Sequence, residues 1–193
     1  MHFSSFQKVA CGVCIAVILL SSKVLANSNE SSLWDSLRKP NHFVLIRHAM
    51  APGIGDPPNF DVNMRETQRN LSEAGIEQAK KMGKLFHEHG IKDAKVFSSQ
   101  WFRCKDTAQL LELGPVTELP FLNSLFPNME KRERQTKALN DWLLQLDMNK
   151  PVIIVTHNVN ISAFTGYSTA SGEIVFMKKT DGNKFEKLGS IVE

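Results

Sequence analysis

Three short runs constrain this chain more than any other feature: Phe43-Val44-Leu45-Ile46, Val96-Phe97 and Val152-Ile153-Ile154-Val155 are apolar at every position. A strand with one wet face alternates apolar and polar residues, whereas an unbroken apolar run of strand length is buried on both faces. Between the runs lie stretches of helical period. Ser72 caps the first, whose Ala74, Ile76, Ala79, Met82, Gly83, Leu85 and Phe86 make a broad apolar face and which stops at Gly90. The second runs from about Trp101 to Leu113 and ends at Gly114-Pro115. The third, Glu130 to Leu146, places Ala138, Leu139, Trp142, Leu143 and Leu146 on one side. Val116 to Leu119 reads as a further short strand, and Ile174 to Met177 with Phe185 to Val192 as a closing hairpin around Asp181-Gly182. This alternation predicts an α/β fold: a three-layer sandwich with a mostly parallel central sheet and helices on both faces.

The first 26 residues stand apart. Lys8 precedes an apolar run from Val9 to Leu20, and Val24-Leu25-Ala26 has the small residues that signal peptidase reads. The run is shorter than the ~20 residues that an uncleaved anchor needs. A lipoprotein reading is disfavoured by Lys8, three residues before Cys11. We therefore divide the chain into a signal peptide (1–26), a polar and loose N-terminal extension (27–41) in which Leu33, Trp34 and Leu37 form one packed turn, and one compact domain (42–193). A periplasmic or secreted location follows, with no stable membrane insertion after cleavage. Losing Lys8 and Lys23 brings the net charge from +3 to +1, which argues against nucleic acid or another polyanion as partner. Cys11 and Cys14 leave too, so Cys104 has no internal disulfide partner and is expected as a buried small hydrophobe.

In an open α/β sheet, ligands bind beyond the carboxyl ends of the strands. Arg47-His48 follow the first run, Ser98 to Arg103 the second, and Thr156-His157 the Val152 run. Remote segments thus bring two Arg and two His to one edge. Guanidinium matches phosphate oxygens with paired donors, and a neutral imidazole is a competent nucleophile. Two His flanked by two Arg would set cations against a cation, so no metal and no other cofactor is expected. On the residues alone this is a phosphate or anion site, catalytic or merely binding. Residues 51–66, dense in Pro and Gly, form a long loop of the kind that often serves as a lid.

Val44 to Ala49, Asn70 to Gly75 with Gln78-Ala79, Ser98-Ser99 with Arg103-Cys104 and Thr107-Ala108, and Val155-Thr156-His157 together resemble the histidine phosphatase superfamily, which includes the phosphoglycerate mutases. The resemblance implies that His48 carries the phosphoryl group, that Arg47, Arg103 and His157 cradle it, and that no metal takes part. It also implies a phosphorylated small molecule or envelope sugar as partner. With the export signal, Thr67 to Ser72 and Leu122-Asn123-Ser124 are similar to a periplasmic subgroup that acts on heptose phosphates of lipopolysaccharide core. Mutase activity is disfavoured, because Pro52 to Pro58 stands where those enzymes handle glycerate.

The chain departs from the family at the general acid. Ser124 and Asn158 occupy the two positions where relatives place a carboxylate. Asp56, Asp61, Glu66, Glu130 and Glu173 are the candidates left, and Glu173 is favoured because it opens a strand soon after His157. Otherwise the substrate has a good leaving group, such as phosphohistidine or an acyl phosphate, or the domain binds phosphate without turnover.

Overall fold

The computed structural model describes residues 30–192, and the expected signal segment lies outside them. Helix α1 covers 30–37. It is followed by β1 His42–Arg47, α2 Glu73–Glu88, β2 Lys95–Ser98, α3 Phe102–Leu110, β3 Val116–Glu118, α4 Arg132–Gln145, β4 Val152–Thr156, α5 Asn158–Thr165, β5 Ile174–Thr180 and β6 Lys184–Ile191. Among the described residues six strands form one sheet in the order β3-β2-β4-β1-β5-β6. The β2–β3, β2–β4 and β1–β4 pairs are parallel, and β5 runs antiparallel to both β1 and β6.

Strand alternation divides the core into two layers. Val44, Ile46, Val96, Ile153, Val155 and Phe176 face one way, against Ala79, Met82 and Phe86 of α2 and Cys104 and Ala108 of α3. Phe43, Leu45, Val152, Ile154 and Val175 face the other way, against Leu139 and Leu143 of α4 and Ile161 of α5. Phe43 to Ile46 are fully buried. Each such side chain contributes about 1.5–3 kcal/mol relative to exposure, which makes β1 the pivot of the sandwich.

Two elements differ from the sequence reading. The segment before β1 is not loose. Leu33, Trp34 and Leu37 share one face of α1 and are buried, with Trp34 edge-on to Phe86 and Phe176 and stacked on His89 at 4.5 Å. The expected packed turn is thus a docked helix. Helix α5 has no counterpart in the sequence reading. No side chain caps its N-terminus, and only Asn160 and Ile161 are buried, so it shows no helical period.

Helix α2 fixes the loops at the carboxyl edge. Ser72 Oγ accepts from Gly75 N–H at 3.1 Å, as an N-cap should. Gly75 is there because a Cβ would lie 2.0 Å from the Met50 carbonyl oxygen. One turn on, the Gln78 amide oxygen accepts from Met50 N–H and its amide nitrogen donates to the Ser171 carbonyl, both at 3.0 Å. The segment after β1 is thereby tied to the segment before β5.

Candidate active site

The register brings the strand ends level. Ile46 pairs with Val155, and Val155 with Ser98. The ladder runs one step further, with His48 N–H donating to Thr156 O and Ser99 N–H to Val155 O, both at 3.0 Å. His48 and His157 therefore leave adjacent strands at the same height, and their ring centroids are 5.5 Å apart. They line a cavity of about 230 Å³ together with Arg47, Arg69, Arg103, Asp56, Ser124, Asn158 and the apolar Ile54, Phe126 and Val159. The four residues expected from the sequence thus share one cavity.

His48 is buried, and its Nδ1 lies 2.8 Å from the Ala49 carbonyl oxygen. A carbonyl only accepts, so Nδ1 carries the proton and Nε2 keeps a lone pair. Burial first, and the positive field of Arg103 next, push the His48 pKa down to about 3. The same two causes hold His157 well below its usual value, so both rings are neutral at physiological pH. His157 Nε2 sits 3.0 Å from Ser99 Oγ. Cys104 is buried beneath it, donates to Thr156 O, and has its thiol pushed up to about 12 by burial, so it is an inert core thiol.

Arg103 is buried, and it pairs with Asp56 at 2.7 and 3.2 Å. Asp56 also accepts from Arg69 N–H and Trp101 Nε1–H, each at 3.0 Å. Four donors on two oxygens keep this carboxyl below the usual range despite its burial, and therefore ionised. Arg47 donates to Thr169 O at 2.6 Å. Arg69 donates through Nε to Gly55 O and through Nη1 to Ala51 O. Four buried side-chain polar atoms lack a partner among the described residues, and two of them are the Nε atoms of Arg47 and Arg103. Buried donors in native proteins are nearly always spent, so these two call for a water, an ion or a ligand to receive them. Three guanidinium groups against one carboxylate leave the cavity two positive charges in excess, and the pKa of Arg47 and of Arg69 is lowered by burial and by Arg103.

Arg69 is the charged cavity residue that the sequence reading did not single out. It comes from the loop before α2, not from a strand end, so strand-end logic passes over it. The general-acid candidates fare differently. Glu173 does lie close by, and its carbonyl oxygen accepts from Arg47 N–H. Its side chain points elsewhere: the carboxylate accepts from Tyr167 Oη at 2.7 Å and Ala170 N–H at 2.8 Å, and does not line the cavity. The expectation that Glu173 supplies the acid is corrected accordingly. Asp61, Glu66 and Glu130 are outside the lining as well, and of the five candidates Asp56 alone reaches the cavity, as a locked ion-pair partner. Ser124 Oγ accepts from Phe126 N–H, and Asn158 Oδ1 accepts from Thr169 N–H and the hydroxyls of Thr169 and Ser168.

The loop after β1 is strapped to the site. Phe60 stacks on Trp101 at 4.7 Å, and Trp101 stands edge-on to His157 at 5.7 Å. Gln68 Nε2 donates to the carbonyls of Asp61 and Val62. At the tip of the loop Ile54 projects into solvent, 91% exposed. Among the described residues no three His, Cys, Asp or Glu side chains are grouped to hold a metal.

Residues 43–125 match the model of the histidine phosphatase superfamily, branch 1. The serine/threonine-protein phosphatase Pgam5, mitochondrial, of Drosophila grimshawi is 30% identical over 96 residues, 47% of this chain and 30% of that protein. The chain thus spans less than a third of that relative. Among solved structures, phosphoserine phosphatase from Entamoeba histolytica in complex with 3-phosphoglyceric acid superposes with a TM-score of 0.60 at 16% identity, covering 79% of this chain and 97% of that one. The protein histidine phosphatase SixA complexed with tungstate gives a TM-score of 0.52 at 13% identity, covering 78% and 96%. The described residues therefore have the α/β fold of these phosphatases, and the stretch bearing Arg47, His48, Asp56, Arg69 and Arg103 matches the histidine phosphatase superfamily, branch 1.

Proposed function

We propose that this chain is an exported, metal-independent phosphatase that hydrolyses phosphomonoesters through a phosphohistidine on His48. The observation that carries the reading is the neutral His48 ring, its proton fixed at Nδ1 by the Ala49 carbonyl, beside two guanidinium groups with buried, unspent N–H donors. The Nε2 lone pair attacks phosphorus, and the leaving oxygen departs with the bonding pair. Arg47, Arg69 and Arg103 hold the phosphoryl oxygens, and His157 closes the cavity beside them. Preorganised donors of this kind act strongly in a desolvated site. Water then attacks phosphorus and returns the electron pair to Nε2. Tungstate, the ligand of the SixA structure, is a tetrahedral oxyanion like phosphate, which agrees with this use of the fold. Export rests on the signal-like residues 1–26.

The test is acid-quench trapping. Protein stripped of metal with EDTA is mixed with labelled acetyl phosphate, and an acid-labile, base-stable label should appear on wild type and vanish in His48→Ala. Label persisting in His48→Ala rules out this nucleophile. Orthophosphate protection against heat with no label and no turnover would leave a binding module instead. Export is checked by sequencing the N-terminus of the protein recovered from the periplasmic fraction, expected at residue 27.

A further inference from the structure

The mouth of the cavity is apolar. Ile54 is 91% and Phe126 55% exposed, both line the cavity, and Val159 lies with them. The Phe126 ring lies beside Gly55, where an added Cβ would be in ordinary contact with it at 3.5 Å. Of the polar side chains nearby, Ser124 Oγ already accepts from Phe126 N–H, and Asn158 Oδ1 from three donors of Ser168 and Thr169, so their acceptor capacity is largely taken. Such a rim suits a flat apolar group better than a sugar bristling with hydroxyls. The cavity, at about 230 Å³, is below the ~300–1,000 Å³ of sites for drug-sized ligands, which leaves room for a phosphoryl group and a single ring.

The chemistry inside points the same way. An alkoxide leaving group needs a proton as the P–O bond breaks. Asp56 is the only carboxylate lining the cavity among the described residues, and four donors occupy its two oxygens. It has no proton to give. A phenolate, with a parent pKa of ~10, leaves without one.

On the reading of His48 as nucleophile, we infer that the substrates are aryl phosphates, bound with the aromatic ring against Ile54, Phe126 and Val159. The step is balanced as follows. The Nε2–P bond forms while the P–O bond to the ring breaks, and the electron pair departs on the phenolate oxygen, which takes its proton from solvent. Water then forms the new P–O bond, the N–P bond breaks toward Nε2, and the water proton passes to solvent.

Three probes separate the components. Phenyl phosphate has the ring and the good leaving group, benzyl phosphate has the ring with an alkoxide, and acetyl phosphate has a good leaving group without a ring. Phenyl phosphate should show the highest kcat/KM. Benzyl phosphate should keep a similar KM and lose ~10²-fold or more in kcat, the usual worth of a missing acid. Acetyl phosphate should show a KM raised roughly tenfold, the scale of a lost apolar contact. Phe126→Ala should narrow the preference for phenyl over acetyl phosphate by about the same factor. Benzyl phosphate turning over within a few-fold of phenyl phosphate, or acetyl phosphate binding as well as phenyl phosphate, overturns the inference and leaves the His48 reading intact. If no probe is hydrolysed and no phosphohistidine forms, it is the underlying function that fails. A tyrosine-phosphorylated peptide run beside phenyl phosphate distinguishes a protein-borne aryl phosphate from a small phenolic one.

Discussion

Removing the Asp56 carboxylate tests whether the cavity is an anion site that the protein fills with its own side chain. In Asp56→Ala the Arg103 guanidinium, with its side chain only 3% exposed, loses both of its carboxylate bonds, and Arg69 N–H and Trp101 Nε1–H lose their acceptor. Breaking a buried ion pair by deleting one member costs about 3–5 kcal/mol. At ~2–4 °C per kcal/mol for a domain of this size, Tm should fall by about 6–20 °C in buffer free of oxyanions. Orthophosphate should restore much of that loss, because it supplies the acceptor that Arg103 lacks, and should bind the variant more tightly than wild type. The pH dependence has a definite sign. Asp56 is held below its ordinary 3.8, so its contribution is present above that pH and fades as pH falls through the lower folded value. The two proteins should converge in stability at strongly acid pH. Differential scanning calorimetry with and without phosphate reads all three effects. A Tm change within about 2 °C, or a loss that phosphate does not relieve, refutes the account of Arg103 as a cation awaiting an oxyanion.

Four further outcomes follow from the same geometry. His48 and His157 are buried neutral, so the unfolded chain binds more protons below pH 6.5; each should remove ~1.4 kcal/mol of stability per pH unit on acidification from 6.5, down to about 3 for His48. Urea unfolding across that range should show the slope, and His48→Gln should remove one share of it. Arg69→Ala should weaken orthophosphate binding about tenfold or more in titration calorimetry, the worth of ~1.5–3 kcal/mol for bonds to a charged group. Gly75→Ala should cost upwards of ~2 kcal/mol in chemical unfolding, since the added Cβ meets the Met50 backbone at 2.0 Å. Cys104 should resist a thiol reagent such as 5,5′-dithiobis(2-nitrobenzoate) in the native state and react on unfolding, given its burial and a pKa of about 12.

What could be read in advance depended on how much each feature owed to local pattern. Phe43 to Ile46 and Val152 to Val155 announce themselves because both faces of a central parallel strand are buried, and the residues just past them then had to meet. That argument found Arg47, His48, Arg103 and His157. It could not find Arg69, which arrives from a loop 21 residues beyond His48 and is tied to the site through Asp56 and Arg103 and not through a strand end. Asp56 was visible as a carboxylate near the site, but its role depends on pairing with Arg103 across 47 residues, which no local pattern encodes. Glu173 shows the opposite limit. Its place at the opening of a strand soon after His157 made it a candidate, and its backbone does lie by Arg47, while the direction of its side chain is settled by Tyr167 and Ala170. Helix α5 was illegible because it is too short and too evenly mixed for its period to show, although the positive φ at Gly166 ends it in the usual way.

The strand order has a kinetic consequence. β1 is made first of the six strands and sits near the middle of the sheet, yet both of its neighbours, β4 and β5, are synthesised more than 100 residues later. Until they arrive, Phe43 to Ile46 is a bare hydrophobic ribbon with open hydrogen-bonding edges. Folding must therefore wait for distant closure, a slow class of event, and the nascent chain carries a sticky segment through that interval. A partner that shields this ribbon during biogenesis would speed recovery of native protein more than one that shields any of the helices.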